Sequence, residues 1–553
     1  MIRTLIALTL LSTSVVAQDF RPSPEIATSA KTLTAQKAVG EDFMIVTANP
    51  LATQTGYDVL KKGGSATDAA IAAQLVLGLV EPQSSGLGGG AFALHYSAKN
   101  HALTSWDGRE MAPHSATPNM FLNTDGTPMD FWDAVVGPQS IGVPGTPKLL
   151  ETLHKNYGAL KWENLFSIAI DIAEHRFKKS PRLQKMINAD VGKLDRFKTT
   201  RNYFYNDDTV IKNSEYASTL RLFQTLGSSV FYNTDTIGGK IIQATNSRIN
   251  AKDLEAYKII KRDPVCGTYR AYTICSMNEP SSGGLTILQI LKILEPYDLK
   301  QNDSETIHLI AEASKMAFAD RNMYMADPDF VDTPSTALLN NTYINKRRSL
   351  INDAAQKHTA GNLSDIFASQ EKQIEDGTTH IVAIDKAGNA ISMTSTIESA
   401  FGSKIMTNGF LLNNEMTDFS FVPEKDGKPV ANAIELGKRP RSSMAPTIVF
   451  DKDMKPVLLI GSAGGSRIIG FVLQRLIAMI DWGMNVDDAI AMPNILDRGN
   501  GLESEIELDQ SLIKKGHDIK IRDLTSGLTA IQINGNKFIG APDPRREGLA
   551  MGQ

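Results

Sequence analysis

One stretch constrains this chain more than any other. It is Asp376-Gly377-Thr378-Thr379-His380-Ile381-Val382-Ala383-Ile384-Asp385, leading through Lys386-Ala387-Gly388-Asn389 into Ala390-Ile391-Ser392-Met393-Thr394-Ser395-Thr396. An apolar run, a turn containing Gly and Asn, and a β-branched second run predict a hairpin. With a loop over 386–389, Ile384 faces Ile391 and Thr379 faces Thr396. Thr378 then sits one step from Thr396 at the open end, within one residue of register. Alone, a Thr-Thr pair opening a strand is ordinary β propensity. Cutting the Gly377–Thr378 bond would change its chemistry. Thr378 would then carry a hydroxyl nucleophile and an α-amino base on one residue, and such amines titrate at about 7.7–8.0.

Composition narrows the classes. The 553 residues are 42% hydrophobic and 21% charged, enough for a large core in one large domain or several. A formal net charge of -4, with Lys and Arg interspersed among acids, leaves no nucleic-acid footprint. Residues 1–17 have a positive n-region at Arg3, an apolar h-region from Leu5 to Val16, and the small-residue site Val15-Val16-Ala17. That is a secretory signal peptide, too short for a membrane span, and no cysteine nearby offers a lipid anchor. The mature chain is expected to be periplasmic or secreted. A two-residue turn at Arg270-Ala271 would oppose Cys266 and Cys275, the two cysteines of the chain, as a cross-strand disulfide. Arg-Ala is not a favoured hairpin turn, so two buried thiols stay open as the other reading.

Along the chain, Phe43–Ala48 and Ala91–Tyr96 predict strands, and Ser65-Ala66-Thr67-Asp68 caps a helix that is apolar nearly all round. Ser85-Gly86-Leu87-Gly88-Gly89-Gly90 follows a helix and precedes a strand. That order is wrong for a dinucleotide fingerprint and suits close backbone packing beneath a site. From about Thr146 to Asp320 the pattern is largely helical scaffold, and residues 326–377 are polar and suit an exposed segment. Beyond the hairpin, Phe410–Asn413 predicts a third strand, Thr447–Phe450 and Pro456–Ile460 two more, and Ala530–Asn534 with Phe538–Gly540 a terminal pair. Arg467–Ile480 and Val486–Ala491 predict helices, and residues 541–548 are expected to dock. Pattern alone yields a mixed α and β (α/β, α+β) chain.

Four motifs follow one another: Thr378-Thr379-His380; Leu412-Asn413-Asn414-Glu415-Met416-Thr417-Asp418-Phe419-Ser420; Lys438-Arg439-Pro440-Arg441-Ser442-Ser443-Met444-Ala445-Pro446-Thr447; and Gly461-Ser462-Ala463-Gly464-Gly465-Ser466-Arg467. The series resembles the γ-glutamyltransferase (γ-glutamyltranspeptidase) family of N-terminal-nucleophile hydrolases, over nearly the whole mature chain. The resemblance implies a four-layer αββα sandwich built from both fragments of an autocleaved precursor. It implies cleavage between Gly377 and Thr378, giving a large fragment 18–377 and a small catalytic fragment 378–553 that form a heterodimer. It also implies hydrolysis or transpeptidation of γ-glutamyl amides such as glutathione, with water, an amino acid or a peptide as acceptor.

Each residue has a chemical reason for its place. Thr378 is the expected nucleophile, and Thr396 holds its amino group or hydroxyl. Gly464 and Gly465, where a strand turns into a helix, supply oxyanion N–H donors. Asp418 and Glu415 suit an α-ammonium; Arg109, Ser442 and Ser443 suit an α-carboxylate. Glu398 stands where the best-studied members carry an amino-group-binding asparagine. The 17 residues from Phe421 to Gly437 look like a shortened lid that leaves the pocket open. Arg441 adds positive charge at the pocket edge, and His380 is expected to be a strand residue rather than a base. The nine histidines show no ligand spacing, so neither metal nor cofactor is expected. Two other functions stay open: an acylase of the same fold for glutaryl (cephalosporin) or poly-γ-glutamyl substrates, and an uncleaved, secreted amino-acid-binding protein.

Overall fold

The computed structural model describes residues 36–205, 209–363, 366–370 and 377–553; the expected signal peptide lies outside them. Two seven-stranded antiparallel sheets form its centre. The first runs, in spatial order, Leu549–Gly552, Met44–Thr47, Thr378–Ile384, Ala390–Thr396, Gly90–Ser97, Ala102–Gly108 and Ile260–Arg262. The second runs Ala38–Gly40, Lys537–Pro542, Thr529–Asn534, Pro456–Gly461, Thr447–Phe450, Tyr272–Ser276 and Val265–Tyr269.

Strand alternation sorts the side chains into three layers of core. Val382, Ile384 and Leu94 of the first sheet meet Ile448, Leu459 and Ile531 of the second, so the sheets stack face to face. On the outer face of the first sheet, Ile381, Ala383, Ile391 and Met393 pack under the helix Ala66–Val80 and its neighbours. On the outer face of the second, Ile274, Val449, Leu458 and Ile460 pack under the helices Gly283–Leu294, Ser304–Tyr324 and Arg467–Ile480. The result is the expected αββα sandwich. Among the described residues no helix is long and apolar enough to cross a membrane.

The hairpin forms, but one residue out of the expected register. Thr378 pairs directly with Thr396, and Ile384 with Ala390. The loop is five residues, because the Asp385 carboxylate turns back to accept from the amides of Ala387 and Asn389. Phe410–Asn413 does not extend the main sheets: Phe410–Leu411 pairs with Met406–Thr407 alone, and Asn413 and Asn414 leave the ladder to serve as side-chain acceptors for loop amides. Nor is the described part of 326–377 simply exposed. Leu338, Tyr343 and Ile344 are buried in two short helices, and Arg347 donates to the carbonyls of Met316 and Thr359. The cysteine hairpin forms as expected around Arg270-Ala271, with Cys266 opposite Cys275 and a disulfide between them. The terminal stretch docks, and Leu549–Gly552 adds an edge strand that the sequence reading lacks.

Candidate active site

The inner row of the hairpin changes character along its length. Val382, Ile384 and Ala390 are apolar; toward the open end the same face carries His380, Ser392, Thr394, Thr378 and Thr396. The His380 ring sits between Thr394 Oγ1 (2.8 Å from Nδ1) and Ser392 Oγ (3.2 Å from Nε2), and burial pulls its pKa down to about 3. It is a neutral strut, as expected. Its ring fills the space that a side chain at Gly461 of the facing sheet would need.

At the open end the uncut peptide is clamped. Gly377 N donates to Glu398 O (2.5 Å), and Thr396 Oγ1 donates to Gly377 O (2.6 Å) while accepting from Glu398 N (2.8 Å). A Cβ on residue 377 would lie 2.7 Å from Glu398 O, so glycine is required for this close approach. Arg546 from the C-terminal stretch donates to Thr378 O (2.9 Å). Gly88, Gly89 and Gly90 lie directly against Leu411 O, Thr396 O and the Glu110 carboxylate, the backbone packing expected of them.

The turn Ser462–Ser466 leads from the strand Pro456–Gly461 into the helix Arg467–Ile480, with Gly464 at φ +121° and Gly465 at φ +58°. Both are left-handed, where a Cβ is penalised. Gly465 lines one cleft with Thr378, Thr396, Glu398, Arg109, Glu415, Asp418, Ser442, Ser443, Met444 and Ile468. Gly464 stands behind, its backbone against the Phe471 ring. A larger apolar hollow between the helix Ser304–Tyr324 and residues 474–506 contains none of these groups.

The opposite wall of the cleft is charged. Arg109 is buried and pairs with both Glu415 and Asp418; it also donates to the carbonyls of Pro440 and Arg441 (both 3.2 Å). Burial works against its charge, but Glu415, Asp418 and Glu110 outweigh that, so Arg109 is held firmly protonated. The carboxyls carry the cost. Burial lifts Glu415 well above the usual carboxylate range and Glu110 up to about 7, against the pull of Arg109. Three carboxyls around one guanidinium in a dry pocket cannot all ionise cheaply. Such a wall offers both signs of charge to a zwitterion.

Ser443 Oγ accepts from Arg321 (2.6 Å), and Arg321 also donates to Ser282 Oγ (2.8 Å), whose own hydroxyl donates to Ser442 O (2.6 Å). Ser282 thus props the two serines from within the region whose pattern is largely helical scaffold. Arg321, Asn414 and Glu110 were also missed. Asn414, inside a quoted motif, donates to the Glu398 carboxylate and accepts from Ser399 N. One expectation fails. Arg441 is not at the pocket edge: it is buried and donates to the carbonyls of Arg321 and Met325, tying off a helix end. Thr378 is 4% and Thr396 3% exposed in the uncut chain, with Gly377 occupying the mouth. Residues 421–437 fold back as a small hairpin, and Phe421 stacks on Phe121 (4.7 Å).

The family model for gamma-glutamyltranspeptidase matches residues 52–553. A glutathione hydrolase proenzyme of Bacillus subtilis (strain 168) is 37% identical over 551 residues, 94% of this chain and 92% of that protein. Among solved structures, the cephalosporin acylase from Bacillus halodurans superposes with a TM-score of 0.83 at 24% identity, over 96% of this chain and 99% of that one. The gamma-glutamyltranspeptidase of Helicobacter pylori gives a TM-score of 0.54 at 32% identity, over 62% of this chain and 99% of that one.

Proposed function

The chain belongs to the gamma-glutamyltranspeptidase family, and from that premise we propose that it cuts itself before Thr378 and then moves γ-glutamyl groups. It is an enzyme of the γ-glutamyltransferase and glutathione hydrolase type, made as a proenzyme whose two fragments stay together. The single observation that carries the assignment of Thr378 is the clamp on the Gly377 carbonyl, which Thr396 Oγ1 polarises from 2.6 Å.

In the uncut chain the Thr378 hydroxyl attacks that carbonyl. The C–N bond breaks, the acyl group passes to oxygen, and the hydroxyl proton ends on the freed amine. Water then opens the ester, leaving a Gly377 carboxylate and a Thr378 with free hydroxyl and α-amine. In turnover this amine takes the hydroxyl proton as Oγ attacks the γ-glutamyl amide. The amides of the Gly464–Gly465 turn stabilise the oxyanion. The proton passes to the departing amine, and the γ-glutamyl–threonine ester goes to water or to an acceptor amine. The α-ammonium of the donor meets Glu398, Glu415 and Asp418, while its α-carboxylate meets Arg109, Ser442 and Ser443. Binding therefore inserts a zwitterion into an existing Arg109–carboxylate pairing and exchanges partners there without adding net charge.

Intact mass with N-terminal sequencing tests the first step. We expect fragments Gln18–Gly377 and Thr378–Gln553, of 360 and 176 residues, from wild type exported to the periplasm or medium, and one unbroken chain from Thr378→Ala. An unbroken wild type would leave Thr378 without a free amine and refute the proposal. A donor lacking its α-amino group separates this activity from a glutaryl acylase: the proposed wall makes that donor a poor substrate.

A further inference from the structure

Outside the cleft, two of the nine histidines and one glutamate gather beneath the exposed coil of residues 352–360. His308 and Glu312 are one turn apart on the helix Ser304–Tyr324, and His517 reaches them from a part of the chain 209 residues away from His308. All three are buried, and one ligand atom from each lies within 4.8 Å of the others. Among the described residues this is the one such group of three or more His, Cys, Asp and Glu side chains. Its separation in sequence explains why ligand spacing cannot reveal it.

We propose that His308 Nδ1, His517 Nε2 and a Glu312 carboxylate oxygen form a binding site for a divalent transition-metal ion of the Zn2+ class, joining the segment before Thr378 to the segment after it. The geometry meets the requirements of such a site. His308 Nε2 lies 2.7 Å from the Asn352 carbonyl oxygen, so it carries the proton and leaves Nδ1 as a lone pair facing the centre. The two histidines meet at 2.8 Å between Nδ1 and Nε2, with their rings 77° apart. With Zn–N bonds of about 2.0–2.1 Å, two ligand nitrogens on a tetrahedral ion stand roughly 3.3 Å apart, an opening of about 0.5 Å here. A metal replaces the His–His hydrogen bond once His517 carries its proton on Nδ1; no net proton is released. Glu312 is oriented by its own partners: His358 Nε2 at 2.7 Å, the amide of Gln356 at 3.2 Å, and Lys315. Two imidazoles and one carboxylate suit Zn2+, and the coil above them, without helix or strand, leaves a short path for entry. The Lys315 ammonium competes for the same carboxylate, which keeps binding weaker than in an all-histidine site.

The probe is Co2+, followed by competition with Zn2+, on the full exported protein stripped with chelator. We expect one equivalent of Co2+ to give the visible absorption of a tetrahedral site, Zn2+ to abolish it, and the melting temperature to rise with either ion. His517→Gln and His308→Gln should each weaken binding by about 10–100-fold, while His175→Gln, on an exposed histidine, changes nothing. If one ligand variant fails to fold, the other carries the test. Absence of a tetrahedral band in wild type overturns the proposal, as does a band that both ligand variants retain. The site is independent of the catalytic assignment, so an unprocessed Thr378→Ala chain should bind Co2+ equally well.

Discussion

The two walls of the cleft are built on opposite principles. The wall that holds the proposed nucleophile is made of hydroxyls and backbone: Thr378, Thr396, the Gly377 peptide and the Gly464–Gly465 turn, with a histidine held neutral. The wall proposed for recognition is made of buried charge: one guanidinium among Glu110, Glu415 and Asp418, with serines propped by Arg321. The first wall comes from one hairpin and one strand-to-helix turn. The second draws on segments more than 300 residues apart in sequence, as the Arg109–Asp418 pair shows. A wall of hydroxyls and amides is inexpensive to bury and acts through geometry. A wall of charge is costly to bury and acts only when its partners balance. Changes to the first should strike chemistry, and changes to the second should strike binding, stability and pH response together.

The largest expected effect is on the hydroxyl wall. Thr378→Ala should abolish self-cleavage and lower turnover by on the order of 10^4–10^6-fold, with an unchanged melting temperature. A large loss of stability there would break the contrast. Next, Arg109→Gln leaves three buried carboxyls facing one another, and its cost should reach about 3–5 kcal/mol in chemical denaturation, beside a large rise in KM. A variant as stable as wild type would mean that the wall is not electrostatically coupled. Thr396→Val removes the hydroxyl that polarises the Gly377 carbonyl. It should slow processing by about 10–100-fold, from the cost of one lost charge-bearing hydrogen bond, measured as the half-time of precursor conversion.

The pH response sharpens the comparison. With Glu110 at about 7 in the folded chain and near the ordinary 4.5 when unfolded, the native state holds the extra proton between these values. The contribution of Glu110 to stability therefore falls as pH rises from about 4.5 to about 7 and levels off above, for a total of about 3 kcal/mol. Glu110→Gln should reduce the slope in denaturation curves taken across the window, leaving the share of Glu279, which burial also lifts to about 7, and Thr396→Val should leave the whole slope in place. The smallest effect is expected of Glu398→Asn. Asn414 can still reach an amide side chain there, so KM for a γ-glutamyl donor should move by only a few-fold with processing intact.

The same division governs what the sequence discloses. Thr378, Thr396 and the two glycines stand out because their neighbours in space are their neighbours in the chain: a strand pair, a five-residue loop, a strand running into a helix. Even there the register slipped by one, because Asp385 folds back on Asn389 and lengthens the loop, a side-chain effect invisible to alternation alone. Arg109, Glu415, Asp418 and the serines could be nominated by charge type and motif. That the acids grip the arginine directly, or that Glu110 completes the set, depends on long-range packing. Arg441 was misplaced for the same reason: an arginine beside two serines looks like a pocket residue until the helix end it ties off is seen. Arg321 and Ser282 carried no local signal at all.

One consequence follows from the helix Ser304–Tyr324. It carries His308 near its start and Arg321, the prop of Ser443, near its end. Thirteen residues of α-helix are a stiff rod of roughly 20 Å. A pivot of about 3° at the histidine end swings the arginine end by about 1 Å, and misplacements of that size alter rates by about a hundredfold. One rigid element thus joins the coil-covered end to the arginine that props Ser443, so a shift of that size at the far end would reach the serines.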